Sequence, residues 1–186
     1  MSDVLISPSF LPPVGICLPL TTAATNMDPV FKKLNLKDNK KVFVLNAPPS
    51  FKLALDTLSG IAAIKTSLSG AGDVGFFLAF VTKQKEVDDL TKAVVPRMGR
   101  DGLLWFAYPK GTSKKYVCEF NRDSGWALLG EFDFEPVRQI AIDEDWTALR
   151  FRRAENIKTM TRGFAMSKTG KKKVAASKKK SSPRRS

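Results

Sequence analysis

Apolar positions change period along this chain, and each change marks an element. Asp28-Pro29 reads as the cap of a short helical turn carrying Phe31 and Leu34, and residues 37–40 (KDNK) read as a turn. Residues 41–46 (KVFVLN) predict a short, nearly all-apolar strand that Pro48-Pro49-Ser50 ends. Phe51, Leu55 and Leu58 then fall on one side of a helix over 51–58, and residues 61–66 predict a second strand. After a glycine-rich turn, 74–82 (VGFFLAFVT) is apolar on both faces, as a central strand of a parallel sheet is. Val87, Leu90 and Val94 recur at helical spacing within 84–98, with Glu86, Asp88 and Asp89 in its first half and Gly99 as its stop. Residues 102–108 (GLLWFAY) predict another doubly apolar strand, and 119–132 predict a helix around Trp126 and Leu129, with Gly125 as a local weakness. Finally, 137–142 and 147–153 flank Asp143-Glu144-Asp145-Trp146, an ordinary loop length for an antiparallel hairpin.

Strand, helix, strand, strand, helix, strand, helix and terminal hairpin is the order of an open α/β sheet with crossover helices. The expected fold is a three-layer, Rossmann-like domain over 27–157, with a mostly parallel sheet. The methyltransferase-like variant is the nearest match because it ends in an antiparallel hairpin. Residues 1–26 hold Pro8, Pro12, Pro13 and Pro19, an acidic Asp3 and no basic residue, which is poor signal-peptide grammar. They are expected to be a disordered extension, and the start of translation is left open between Met1 and Met27.

Charge divides the chain further. The net charge is +13, and residues 158–186 hold eleven cations and no acid, so the first 157 residues are only two charges from neutral. From Ser167 onward Lys, Ser, Ala and Gly dominate, so 158–186 is expected to be a largely disordered basic arm. Lys171, Lys172, Lys173, Lys178, Lys179, Lys180, Arg184 and Arg185 are its candidate contacts to DNA or RNA phosphates, and Ser182-Pro183-Arg184-Arg185 resembles the Ser-Pro-basic-basic units of chromatin tails. The competing reading is a solubilising tail with no dedicated partner. No aromatic residue or Leu interrupts the run after Phe164, so a membrane partner is not expected.

With no histidine, Ser-His-Asp and Cys-His catalysis and His-ligated zinc are unavailable to this chain alone. Cys17 and Cys118 form no metal knuckle, which suits a reducing, cytoplasmic setting. Cys118 has Lys114 and Lys115 nearby but no base, and reads as a buried spectator.

KVFVLNAPPSF, the acidic helix after FFLAFVT, GLLWFAYPKGTSKKY and the closing VRQIAIDEDWTALRFRR resemble the bacterial domain-of-unknown-function family 3052 over about residues 34–153. The resemblance implies a methyltransferase-like outline and names no activity. The first 26 residues and the basic tail lie outside it.

Open α/β sheets bind ligands beyond the carboxyl ends of their strands. If the first, fourth and fifth strands are adjacent, Asn46, Lys110, Asp143 and Trp146 converge there: Lys110 for a phosphate or carboxylate, Trp146 for stacking. The alternative is that Trp146 packs in the hairpin and the acids are solvated. The first strand ends in Asn46-Ala47-Pro48-Pro49 rather than a glycine-rich turn, which disfavours the common S-adenosylmethionine site, and no ribose-binding acid follows the second. The G-x-G-x-x-G at 70–75 runs into a strand rather than a helix and reads as a loop. Asp143, Glu144 and Asp145 alternate faces and give incomplete coordination for a cation, so neither metal nor cofactor is assigned. The main expectation is a non-enzymatic domain associated with nucleic acid through its tail. The alternatives are a degenerate or atypical S-adenosylmethionine- or nucleotide-dependent transferase, and a module for an unidentified protein partner.

Overall fold

The computed structural model describes residues 27–160 and 164–181. Two expectations, the extension over 1–26 and the contacts at Arg184 and Arg185, lie outside them. Five strands run parallel and one is reversed. They are β1 (Lys41–Leu45), β2 (Ala63–Lys65), β3 (Val74–Phe80), β4 (Met98–Pro109), β5 (Phe134–Ala141) and β6 (Trp146–Arg153), in the order β2-β1-β3-β4-β6-β5. The reversed strand, β6, is antiparallel to both β4 and β5 and lies between them. This is the mostly parallel Rossmann-like sheet with an antiparallel end that the sequence predicts.

Alternation along the strands builds two cores. Phe43, Phe77, Leu104, Phe106, Leu149 and Phe151 share one face with Val87 and Val94 of helix α3 (Gln84–Val94) and with Trp126 and Leu129. Val44, Phe76, Leu78, Trp105 and Ala148 face the other way, against Phe31 and Leu34 at helix α1 (Pro29–Lys33) and Phe51 and Ala54 at helix α2 (Lys52–Asp56). Asp28 caps α1 by accepting from the Val30 N–H at 2.8 Å. The Trp105 indole, fully buried, donates to the Leu34 carbonyl at 3.0 Å and so fixes where α1 ends on the sheet.

Several elements are shorter or displaced. The strand expected at 61–66 reduces to Ala63–Lys65 at the sheet edge. The helix expected over 84–98 ends at Val94, passes through a 3₁₀ turn at Val95–Arg97, and β4 has begun by Met98. The helix expected over 119–132 is only α4 (Ala127–Glu131). Before it the chain is tied in turns: the Trp126 indole donates to the Asn121 carbonyl at 2.9 Å, Asp123 N–H donates to Asn121 Oδ1, and Gly125 takes a φ of +89°. A side chain at Gly125 would also strike Phe120 and Gln84.

The largest correction concerns the tail. The arm expected to be disordered from Ser167 instead forms helix α5 (Lys168–Ser181), and Ser167 is fully buried. Two carboxylates receive its first turn. Glu135 Oε1 accepts from both the N–H and the hydroxyl of Ser167 at 2.7 Å, while Ser167 Oγ accepts from the Gly170 N–H at 2.9 Å. Asp133 accepts from the N–H and the hydroxyl of Thr169. Lys173 donates to the carbonyls of Ala154, Glu155 and Ile157, closing the docked turn. Composition shows that this segment cannot build a core; it does not show that a prepared acidic seat can hold it.

A Cβ on Gly170 would run into Glu135 Oε1 and lie 2.8 Å from Ser167 Oγ. Gly170→Ala, which raises intrinsic helix stability by about 1 kcal/mol elsewhere, is expected to loosen α5, seen as faster amide exchange over 167–175 than in the parent. The Thr169 N–H holds the Asp133 carboxyl below its usual range, helped by the Thr169 hydroxyl. A carboxyl lowered on folding stabilises above its unfolded value and loses that contribution as pH falls through its folded value. Acid titration should therefore release α5, monitored by the same amides, and Asp133→Asn should remove most of that pH response.

Candidate functional site at the strand ends

Residues 110–126 close over the carboxyl ends of β3 and β4. The Glu119 N–H donates to the Thr82 carbonyl at 3.0 Å, and Glu119 Oε2 accepts from the Gln84 N–H at 2.8 Å. Glu86 Oε2 accepts from the N–H groups of Thr82 at 2.8 Å and Lys83 at 3.1 Å. The sheet order places the topological switch point between β1 and β3, where doubly wound folds hold nucleotides. Here the donors at the start of α3 already serve the protein's own carboxylates. On the β1 side, Asn46 takes a φ of +54° and leads into Pro48 and Pro49.

Asn46, Lys110, Asp143 and Trp146 are only partly brought together. The condition for their convergence does not hold: β3 separates β1 from β4, and β6 separates β4 from β5. Asn46 is exposed at the end of β1, and no hydrogen bond joins it to the other three among the described residues. The others meet because β6 starts beside the end of β4. The Lys110 N–H donates to the Asp145 carbonyl at 2.8 Å, and its Nζ donates to the Asp143 carbonyl at 2.6 Å. Asp143 Oδ1 accepts from the N–H groups of Asp145 and Trp146 at 2.9 and 2.7 Å, the local turn that reverses the hairpin. Its Oδ2 accepts from Ser50 Oγ at 3.2 Å. Asp145 accepts from Ser113 at 2.9 Å and pairs with Lys115 at 3.2 Å, and these partners, Ser113 first, hold its carboxyl below the usual range. Trp146 is buried between Phe80 and Tyr116, with ring centroids 5.1 and 4.9 Å away. The acids form a structural turn, and the indole belongs to the core.

The open space lies beside them, on the other face of β4. A cavity of about 610 Å³ is bounded by Tyr108, Lys110, Tyr116, Phe120, Arg122 and Gln139. Its floor is a polar relay across three strands. Gln139 Nε2 donates to Tyr108 Oη at 3.3 Å and to Thr147 Oγ1 at 3.2 Å, and Thr147 Oγ1 donates to the Ile140 carbonyl at 2.8 Å. Burial pushes the Tyr108 phenol up to about 12, so it keeps its proton and is a neutral group. Cys118 borders the same space, and burial raises its thiol, which removes it as a thiolate nucleophile near neutrality. The cavity offers an aromatic wall, a neutral donor and cations at its rim: a site built for binding and orientation.

Sequence reasoning missed Tyr108, Gln139 and Thr147. Tyr108 and Thr147 are register partners across β4 and β6, and Gln139 lies one strand further out. β5 reads FEPVRQIA, with Gln139 beside Arg138 in a mixed polar stretch, so no local signal singled it out.

No family model matches the chain, and no curated protein matches it. Solved structures share its outline at low identity. The mitomycin 7-O-methyltransferase MmcR is 14% identical, with a TM-score of 0.39, 60% of this chain covered and 41% of that one. This chain thus spans about two fifths of its length. A protein described as a type 11 methyltransferase from Sulfolobus solfataricus is 10% identical, with a TM-score of 0.45, 75% of this chain and 94% of that one. An RNA methyltransferase from Salinibacter ruber, solved with S-adenosyl-L-homocysteine, is 9% identical, with a TM-score of 0.37, 78% of this chain and 99% of that one. Likeness at this level concerns the outline of the fold. These three structures are methyltransferases, which runs against the expectation of a non-enzymatic nucleic-acid accessory and is in line with the transferase alternative in fold outline alone. No helix among the described residues is long and apolar enough to cross a membrane.

The Asp143 turn gives a direct test. Asp143→Ala strands two backbone donors and is expected to cost about 1–2 kcal/mol in urea unfolding, whereas Asn46→Ala is expected to change stability by less than about 0.5 kcal/mol.

Proposed function

We propose that this chain is an atypical transferase of methyltransferase-like fold, with an S-adenosylmethionine- or nucleotide-type ligand held at the carboxyl end of β4 rather than at the β1–β3 switch point. The single observation behind this is the cavity of about 610 Å³ with the Tyr108–Gln139–Thr147 relay on its floor. An adenine-sized ring fits its mixture of Tyr116 and Phe120 with a neutral phenol donor, and at the rim Arg122, paired with Asp123 at 2.9 Å, and Lys110, on the Asp143 carbonyl, would take a carboxylate or phosphate by exchanging those partners. With no histidine, the chemistry asked of the protein is positioning and exclusion of water, not proton shuttling by an imidazole. The resemblance to family 3052 fits this reading in outline, and a reducing, cytoplasmic setting suits Cys118. Lys171 and Lys172, exposed on α5, favour DNA or RNA as the acceptor molecule or as a neighbour of it.

Thermal unfolding with adenosylmethionine, adenosylhomocysteine, ATP and NAD tests the reading. At least one is expected to stabilise the fold by about 2.7 kcal/mol at 100 times its dissociation constant. Gln139→Leu and Tyr108→Phe should each abolish most of that gain, and Asn46→Ala should leave it intact. Absence of any shift across the four ligands would refute the proposal.

A further inference from the structure

Halfway down β6 the character of one sheet face changes. Trp146 and Ala148 are buried, but Arg150 and Arg152, next in the same alternation, emerge where neither α1 nor α2 covers the sheet. Arg138 on β5 is the register partner of Arg150. Three guanidinium groups therefore share one patch, with Lys158 on the same wall of a cavity of about 480 Å³. A second cavity, of about 380 Å³, shares Arg150 and Arg152 and adds Lys37, Asn35 and Asn39.

The internal partners do not balance this charge. Asp101 pairs with Arg152 at 3.3 Å, Glu135 stands opposite Arg152 in register but accepts through Oε1 from Ser167, and Arg138 donates to Asn35 Oδ1 at 3.3 Å. The buried Nε of Arg150 has no acceptor among the described residues. Like charges directly opposite on paired strands are destabilising, and a buried donor without an acceptor adds a desolvation cost. Burial, then Arg152 and Arg138, lowers the affinity of Arg150 for its proton, the direction expected of a cation short of counter-charge. Arg150 and Arg152 line both cavities, and a guanidinium's planar set of N–H donors matches a tetrahedral oxyanion with several acceptors.

We infer that Arg138, Arg150 and Arg152 form a binding site for the phosphate of a phosphate-bearing ligand, separate from the strand-end cavity. The site stands whether or not the transferase reading does, because Tyr108 and Gln139 lie on the opposite face and it uses neither. The phosphate comes either from a nucleic-acid backbone or from a free phosphoryl compound, and the same recognition serves both.

The full-length protein, with its arginine Nε–H signals resolved by NMR, is titrated separately with inorganic pyrophosphate and with a short single-stranded RNA at 150 mM salt. The Arg150 and Arg138 signals are expected to shift with at least one of them: pyrophosphate alone identifies free phosphoryl ligands, and RNA alone identifies a backbone. Arg150→Met and, separately, the more exposed Arg138→Gln should each weaken that titration at least tenfold. Without ligand, Arg150→Met should melt no lower than the parent, since it relieves repulsion and removes the orphaned donor. Failure of both ligands to move either signal overturns the inference, and so does unchanged affinity in folded Arg138→Gln. An Arg150→Met protein that melts lower yet binds as before overturns it as well.

Discussion

From Leu104 to Ala107 strand β4 is hydrogen-bonded along both edges, parallel to β3 on one side and antiparallel to β6 on the other, and is covered on both faces. A strand so enclosed has no backbone donor to spare and no side that faces water, so Leu104, Trp105, Phe106 and Ala107 are all fully buried. Polar chemistry is pushed to wherever this enclosure ends. At the carboxyl end it ends at Tyr108 and Lys110, and the cavity opens there. Beyond the reach of α1 and α2 it ends on β6, where the arginines come out.

The parts of the fold legible in the sequence were those in which each residue's own character decides its place. VGFFLAFVT and GLLWFAY read as central strands because a stretch apolar on both faces has no other economical position, and Asp28-Pro29 read as a helix start because one side chain caps it. Helix 119–132 shortened to α4 because the chain up to Trp126 is held by turns that Asn121, Ser124 and Gly125 create, leaving Leu129 alone of the two apolar markers on the helix. Helix α5 was illegible for a different reason. Its lysines say that it is soluble, while its seat, Glu135 and Asp133, lies more than thirty residues away on and beside β5.

The candidate site shows the same division. Lys110 and Asp143 meet because both close the ends of strands that the sequence marks plainly, but the grouping with Asn46 required a strand order that no local pattern contains. Tyr108, Gln139 and Thr147 are ordinary residues until the β4–β6–β5 register lays them side by side. The self-capping of the switch point by Glu86 and Glu119 is equally invisible beforehand, since Glu119 reaches α3 only through the path of a long loop. Absence of a glycine-rich turn was readable; what fills its place was not.

The buried phenol on the cavity floor has a consequence for selectivity. A group that holds its proton to about pH 12 stays uncharged through every condition a cell imposes, and the amide and hydroxyl beside it do not ionise at all. Discrimination on that floor rests on contour and on the direction of hydrogen bonds, so it stays constant when acidity drifts, and the ionic rim above can change in charge without retuning what the floor accepts.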